Sequence, residues 1–216
     1  MSISKTYAVF GLGRYGRAVA EELVKHGVEV LAVDIEQNNV NNAIETIPMC
    51  KCADVTEPEV IKRLGISNID VVIVAMASNL EASVMAVTLC KEVGVPNVIV
   101  KCSNEMHQRI LSRVGADKVI FPEKESGTRL ARNILSSGFS EMIELSDDVA
   151  MVEISVKEEW IGKPLMELNL RKKYSVNVIA IRKEGNIDMI VDPSLPLVEG
   201  MKLIVIANIN KLEKLK

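Results

Sequence analysis

Aromatic side chains are scarce: Phe, Tyr and Trp together make up 3% of the 216 residues. Basic charge is not in excess either, because 26 Lys and Arg stand against 29 Asp and Glu, a formal net charge of −3. A nucleic-acid binder is expected to carry a basic patch or stripe. Clusters such as Arg171-Lys172-Lys173 are balanced by acids and read as solvated surface, so no nucleic-acid partner is expected. Long apolar runs are missing as well. The longest, Val71 to Ala77, falls far short of the roughly 20 residues a membrane helix needs. No basic start followed by an apolar stretch lies near Met1, as a secretion signal would require. The expectation is a soluble, cytoplasmic chain.

Histidine is limited to His26 and His107, and cysteine to Cys50, Cys52, Cys90 and Cys102. The cysteines form no paired C-x-x-C knuckles. Cys50-x-Cys52 has the period of a strand, so these thiols are expected to pack as small hydrophobes rather than hold zinc or form disulfides. Both histidines fall on predicted helices, which leaves no His-rich metal site.

Apolar residues, by contrast, make up 48% of the chain, and they are strongly patterned. Predicted strands at 6–10, 28–34, 48–54, 70–76, 97–102 and 118–123 alternate with predicted helices at 17–26, 36–46, 57–64, 79–93, 104–114 and 126–136. "DVVIVAM" (70–76) shows no polar alternation, as expected of a strand covered on both faces of a parallel sheet. Six β-α units of this kind predict an α/β doubly wound Rossmann fold. The rhythm changes near "SSGFSE" (136–141). Beyond it, strand runs at 151–156, 176–192 (turning at Glu184-Gly185-Asn186) and 201–207 predict a smaller α+β domain. The expected division is 1–137 and 138–216.

Gly11-Leu12-Gly13-Arg14-Tyr15-Gly16 is G-x-G-x-x-G between a strand and a helix. Gly11 permits a tight turn, Gly13 lets backbone approach a pyrophosphate, and Gly16 lets the helix pack on the strand. Unpaired amides and the positive dipole end of the helix then face the phosphates. Asp34 closes the second strand about 20 residues on, where a carboxylate accepts from both ribose hydroxyls and repels a 2′-phosphate. Asp54 closes the third strand on the adenine side, or else caps the next helix through Asp54-x-Thr56. Arg14 adds a guanidinium able to reach a terminal phosphate. Glycine geometry does not separate ATP or ADP from NAD(H).

A dehydrogenase also needs a proton-transfer residue beside the nicotinamide. No Tyr-x-x-x-Lys pair is present: Tyr7, Tyr15 and Tyr174 are followed four residues later by Gly11, Val19 and Val178. The segment from Glu141 to Lys216 contains no His or Cys. A non-catalytic role is therefore expected, with a small NAD-dependent oxidoreductase as the alternative. A redox-sensing repressor would need a helix-turn-helix, for which there is no candidate.

"YAVFGLGRYGRAVAEEL", "CADVTEPEVIKRLGI", "DVVIVAMASNLEASVMAVTLCKEVGVPNVIVKC" and "ILSRVGADKVIFPEKESGTRLA" resemble successive blocks of the RCK family, the regulators of potassium conductance of TrkA and KtrA type. "IGKPLMELNLRKKYSVNVIAIRKEG" and "DPSLPLVEGMKLIVI" are similar to the RCK C-terminal domain. The resemblance spans nearly the whole chain and is nearest to the KtrA type. It implies a homodimer assembling into an octameric ring, docked on the cytoplasmic face of a membrane potassium channel or transporter and gating it according to bound nucleotide.

Position by position, the resemblance puts Gly11, Gly13, Arg14 and Gly16 on the phosphates, with Leu12 and Tyr15 in the same loop. Asp34 would meet the ribose and Asp54 would lie near the base, with Ile35 and Val55 next to them also counted as cofactor-binding. Ala75 and Met76 would line the crevice, and Lys101 would approach from the fifth strand. Glu123, at the end of the sixth, would sit beside a magnesium or sodium ion. In the C-terminal domain the resemblance implies a cyclic di-AMP site of Leu165, Met166, Asn169, Arg171, Asn177 and Pro193. Asn169 stands where the family commonly has Asp.

Overall fold

The structure is a computed structural model that describes residues 5–135, 139–146 and 148–215. The chain divides into two compact units, Met1–Glu125 and Ser126–Lys216. The first contains β1 (Tyr7–Phe10), α1 (Arg14–Lys25), β2 (Val30–Asp34), α2 (Gln37–Ala43), β3 (Met49–Cys52), α3 (Pro58–Arg63), β4 (Val71–Val74), α4 (Leu80–Glu92), β5 (Asn97–Lys101), α5 (Glu105–Val114) and β6 (Lys118–Ile120). Its six strands are parallel, in the order β3-β2-β1-β4-β5-β6. This is the doubly wound Rossmann order, and it places the topological switch point between β1 and β4.

Alternation along the central strands explains the two-sided burial. Ala8, Phe10, Val72 and Val74 join one core cluster together with Ile61 of α3, Ala86 of α4 and Leu111 of α5. Val9, Val71 and Ile73 join another with Ala20 of α1 and Val40 of α2. Strands whose two faces are both dry must be apolar throughout, which is why β4 shows no alternation.

Three expectations need correction. The glycine loop ends earlier than expected, so Arg14, Tyr15 and Gly16 form the first turn of α1. The sixth strand is also shorter: β6 stops at Ile120 and α6 (Pro122–Leu135) begins with proline at its first position. Proline lacks the amide that a first helical residue would leave unpaired and has the right φ. Glu123 therefore stands in the first turn of α6, not at a strand end. Cys90 and Cys102 are core residues, whereas Cys50 is half-buried and Cys52 is exposed; both of these belong to edge strand β3, which has a neighbour on one side only.

The division at Glu125 falls inside α6, ahead of the Gly/Ser sequence near 136–141 and of the expected boundary at 137. Residues 123–131 of this helix are exposed. The second unit contains β7 (Phe139–Glu144), β8 (Val149–Ser155), α7 (Leu165–Leu168), α8 (Leu170–Tyr174), β9 (Val176–Lys183), β10 (Asn186–Asp188) and β11 (Lys202–Asn208). Its sheet is antiparallel, in the order β10-β9-β11-β8-β7. Glu184 and Gly185 both have positive φ (51° and 86°), the backbone of a two-residue hairpin between β9 and β10. Trp160, Leu168, Leu170, Val152, Ile154, Leu203 and Val205 form the core of this unit.

Candidate functional site

The chain turns sharply after β1. Gly11 has φ +91°, and a Cβ there would lie 2.9 Å from Met76 Cγ and 3.2 Å from the Ala75 carbonyl carbon. At Gly16 a Cβ would come within 1.9 Å of Gly11 O and 2.9 Å of Ala75 Cβ. Both glycines are thus demanded by the chain's own packing. Gly13 is different: its φ is −62°, open to any residue, and nothing lies within 4 Å of its missing Cβ. The hollow above Gly13 serves no internal contact, and a side chain would fill it.

Gly13 also starts α1, and its carbonyl accepts the first helical bond from the Arg17 amide at 2.9 Å. The amides ahead of Arg17 precede the hydrogen-bonded ladder and point out of the helix end. A hollow rimmed by such amides at a positive dipole end suits a phosphate.

Asp34, 8% exposed, ties this loop to β2. Its Oδ2 accepts from the Leu12 amide at 2.5 Å and from Asn39 Nδ2 at 3.1 Å, and its Oδ1 from the Glu36 amide at 2.8 Å. Asp54 Oδ1 accepts from the Thr56 amide at 2.9 Å and the Thr56 hydroxyl at 2.7 Å. This interaction shapes the turn after β3. It does not cap α3, whose first flanking residue is Glu57.

A cleft of about 440 Å³ opens over the carboxyl ends of β1 to β4, bounded by the start of α4. Gly11, Gly13, Asp34, Ile35, Asp54, Val55, Ala75 and Met76 all line it. So do residues that sequence reasoning missed: Asn39, Thr56, Ser78, Asn79, Glu81 and Met85. One of them carried a legible signal. Asn79 caps α4, its Oδ1 accepting from the Ala82 amide at 3.0 Å, and Asn before an apolar helix is a strong cap. Leu12 and Gly16 do not line the cleft; the first lends its amide to Asp34 and the second seats α1.

Arg14, Tyr15, Lys101 and Glu123 also stay outside the lining. Lys101 Nζ lies 2.6 Å from Glu123 Oε1, and 5.4 Å from the centroid of the Tyr15 ring. The hydrogen bond from Lys101 holds the Glu123 carboxyl below the usual glutamate range, with the positive charge of Arg14 contributing. Burial, then the charges of Glu125 and Glu123, pushes the Tyr15 hydroxyl up. This cluster occupies the β5–β6 half of the sheet, across β4 from Asp34. Among the described residues no group of three His, Cys, Asp or Glu is placed to hold a metal, and the partner of Glu123 is an ammonium.

In the second unit, Leu165, Met166, Asn169, Arg171, Asn177 and Pro193 line a single hollow of about 340 Å³. Asn169 links α7 to α8 with φ 49°, a left-handed conformation that Asn and Asp tolerate. The Met166 amide donates to Pro193 O at 3.1 Å and so holds the 193 loop against α7.

The model of the TrkA-N domain matches residues 7–122, and that of the TrkA-C domain matches residues 149–216. The chain belongs to the TrkA-type RCK family. Ktr system potassium uptake protein C of Bacillus subtilis (strain 168) is 38% identical over 191 residues, covering 88% of this RCK chain and 86% of its own length. Ktr system potassium uptake protein A of Vibrio alginolyticus is 36% identical over 213 residues, covering 98% and 97%. Among solved structures, "GsuK channel bound to NAD" matches with a TM-score of 0.63 at 15% identity. That match covers 98% of this RCK chain but 38% of the GsuK chain, and it establishes a shared fold. No helix among the described residues is long and apolar enough to cross a membrane.

Proposed function

We propose that this chain is a regulatory subunit of a membrane potassium channel or transporter, sensing an adenine nucleotide in the cleft of its first unit. The hollow above Gly13 carries the reading. It costs the protein a side chain, satisfies no internal contact and lies where helix amides can take a phosphate. The printed names of the Ktr relatives supply the potassium-transport setting.

In this reading the adenosine end lies by Asp34 and Asp54, and the phosphates run over Gly13 toward Arg14. The Tyr15–Lys101–Glu123 cluster stands on the half of the sheet where a dinucleotide would continue, which favours ATP or ADP over NAD(H). Subunits pair and close into an octameric ring on the inner face of the membrane, and the ring gates the pore. A hundredfold difference in nucleotide affinity between two ring shapes biases them by about 2.7 kcal/mol per site. The hollow around Arg171 in the second unit is proposed as a cyclic di-AMP site, with the guanidinium on a phosphate and Leu165 and Met166 on adenine. No catalytic residue is assigned.

Calorimetric titration of ATP, ADP, NADH and cyclic di-AMP, with Arg14→Ala beside wild type, tests the ligands. ATP is expected to bind most tightly and to lose affinity in the variant. Equal, weak heats for every adenine nucleotide would remove the sensor reading. Steady consumption of NADH with any metabolite would instead favour an oxidoreductase. Co-purification with a potassium-conducting membrane protein tests the partner.

A further inference from the structure

Asp34 is more fully engaged than a ribose-binding carboxylate needs to be. An ionised carboxylate offers roughly four acceptor positions, about two on each oxygen. Oδ2 already accepts from the Leu12 amide and Asn39 Nδ2, and Oδ1 from the Glu36 amide. One position remains, on Oδ1. An adenosine ribose brings two neighbouring hydroxyls, and each needs an acceptor once removed from water. The second acceptor must come from another group.

Asn39 is that group. It stands half-buried on α2 and lines the same cleft. Its amide nitrogen is committed to Asp34 at 3.1 Å, which fixes the orientation of the planar amide. Among the described residues no donor reaches its carbonyl Oδ1, which is left as an acceptor beside the carboxylate. We propose that Asn39 determines ribose specificity: Asp34 Oδ1 takes one ribose hydroxyl and Asn39 Oδ1 takes the other. The assignment rests on the adenine-nucleotide reading of the cleft. It gives Asn39 two tasks, positioning Asp34 through its nitrogen and reading the sugar through its oxygen.

The test compares ATP, 2′-deoxy-ATP and 3′-deoxy-ATP on wild type, Asn39→Ala and Asn39→Asp, with affinities taken as ratios within each variant. Such ratios do not depend on the fraction of each preparation that is folded. Wild type should lose about three- to tenfold for either missing hydroxyl. In Asn39→Ala one of the two penalties should vanish and the other persist. Asn39→Asp keeps an acceptor at the same place, so both penalties should remain although overall affinity falls through repulsion by Asp34. Wild type that binds all three alike, or penalties unchanged in Asn39→Ala, would overturn the role of Asn39 while leaving the cleft intact. Failure of wild type to bind ATP, ADP or NAD at all would overturn the underlying reading of the cleft instead.

Discussion

At the scale of single residues, the three loop glycines separate cleanly by what surrounds them. Gly16→Ala drives a methyl into Gly11 O, and neither that backbone nor the first turn of α1 can yield cheaply. Urea unfolding should show a loss of about 3 kcal/mol. Gly13→Ala meets no atom and has an ordinary φ, so its unfolding free energy should stay within about 1 kcal/mol of wild type. Its nucleotide affinity, measured by calorimetry, should fall at least about tenfold as the methyl occupies the cradle. The cysteines divide by environment in a similar way. Burial pushes the Cys90 thiol up to about 12, so a thiol reagent at neutral pH should leave it untouched in the native protein while labelling exposed Cys52. The glycine signature and Asp34 were legible in the sequence because their spacing follows from strand and helix geometry. Asn39 was not legible, since its role depends on how many donors the fold had already brought to Asp34.

At the scale of elements, β4 was readable because a strand dry on both faces must be apolar throughout. The start of α6 is not legible in the sequence, because "KVIFP" suits a strand until the sheet runs out of a neighbour beyond β6 and proline begins a helix. A second case is the ion cluster that joins three strands of the second unit. Glu153 of β8, 6% exposed, accepts from Arg182 of β9 at 2.6 Å and Lys202 of β11 at 2.9 Å. Burial pushes its carboxyl up, but the hydrogen bonds from Lys202 and Arg182 outweigh that and hold it below the ordinary glutamate value of 4.5. A lowered folded value means the ionised form stabilises the fold. That contribution is complete above about pH 5 and is lost as pH falls through the lowered value. Glu153→Gln should therefore cost about 2 kcal/mol at pH 7. The difference from wild type should shrink below pH 4, as followed by thermal melting across pH.

At the scale of the molecule, each unit has its own core, and the cleft over the ends of β1 to β4 is lined by residues of the first alone. ATP at about 100 times its dissociation constant should add about 2.7 kcal/mol to that unit's stability. Amide exchange should slow at the ends of β1, β2 and β4 and at the start of α1. If exchange there is unchanged while ATP is bound elsewhere, the cleft is not the site. The sequence by itself determined the doubly wound β-α pattern, the second α+β unit and the loop that could hold a phosphate. It could do so because local periodicity and steric rules for glycine act over a few residues. Only the tertiary structure decided that Lys101 pairs with Glu123 against Tyr15 and that Asp34 has one acceptor position left. Those facts depend on side chains brought together across strands distant in sequence, where no local pattern records the partner.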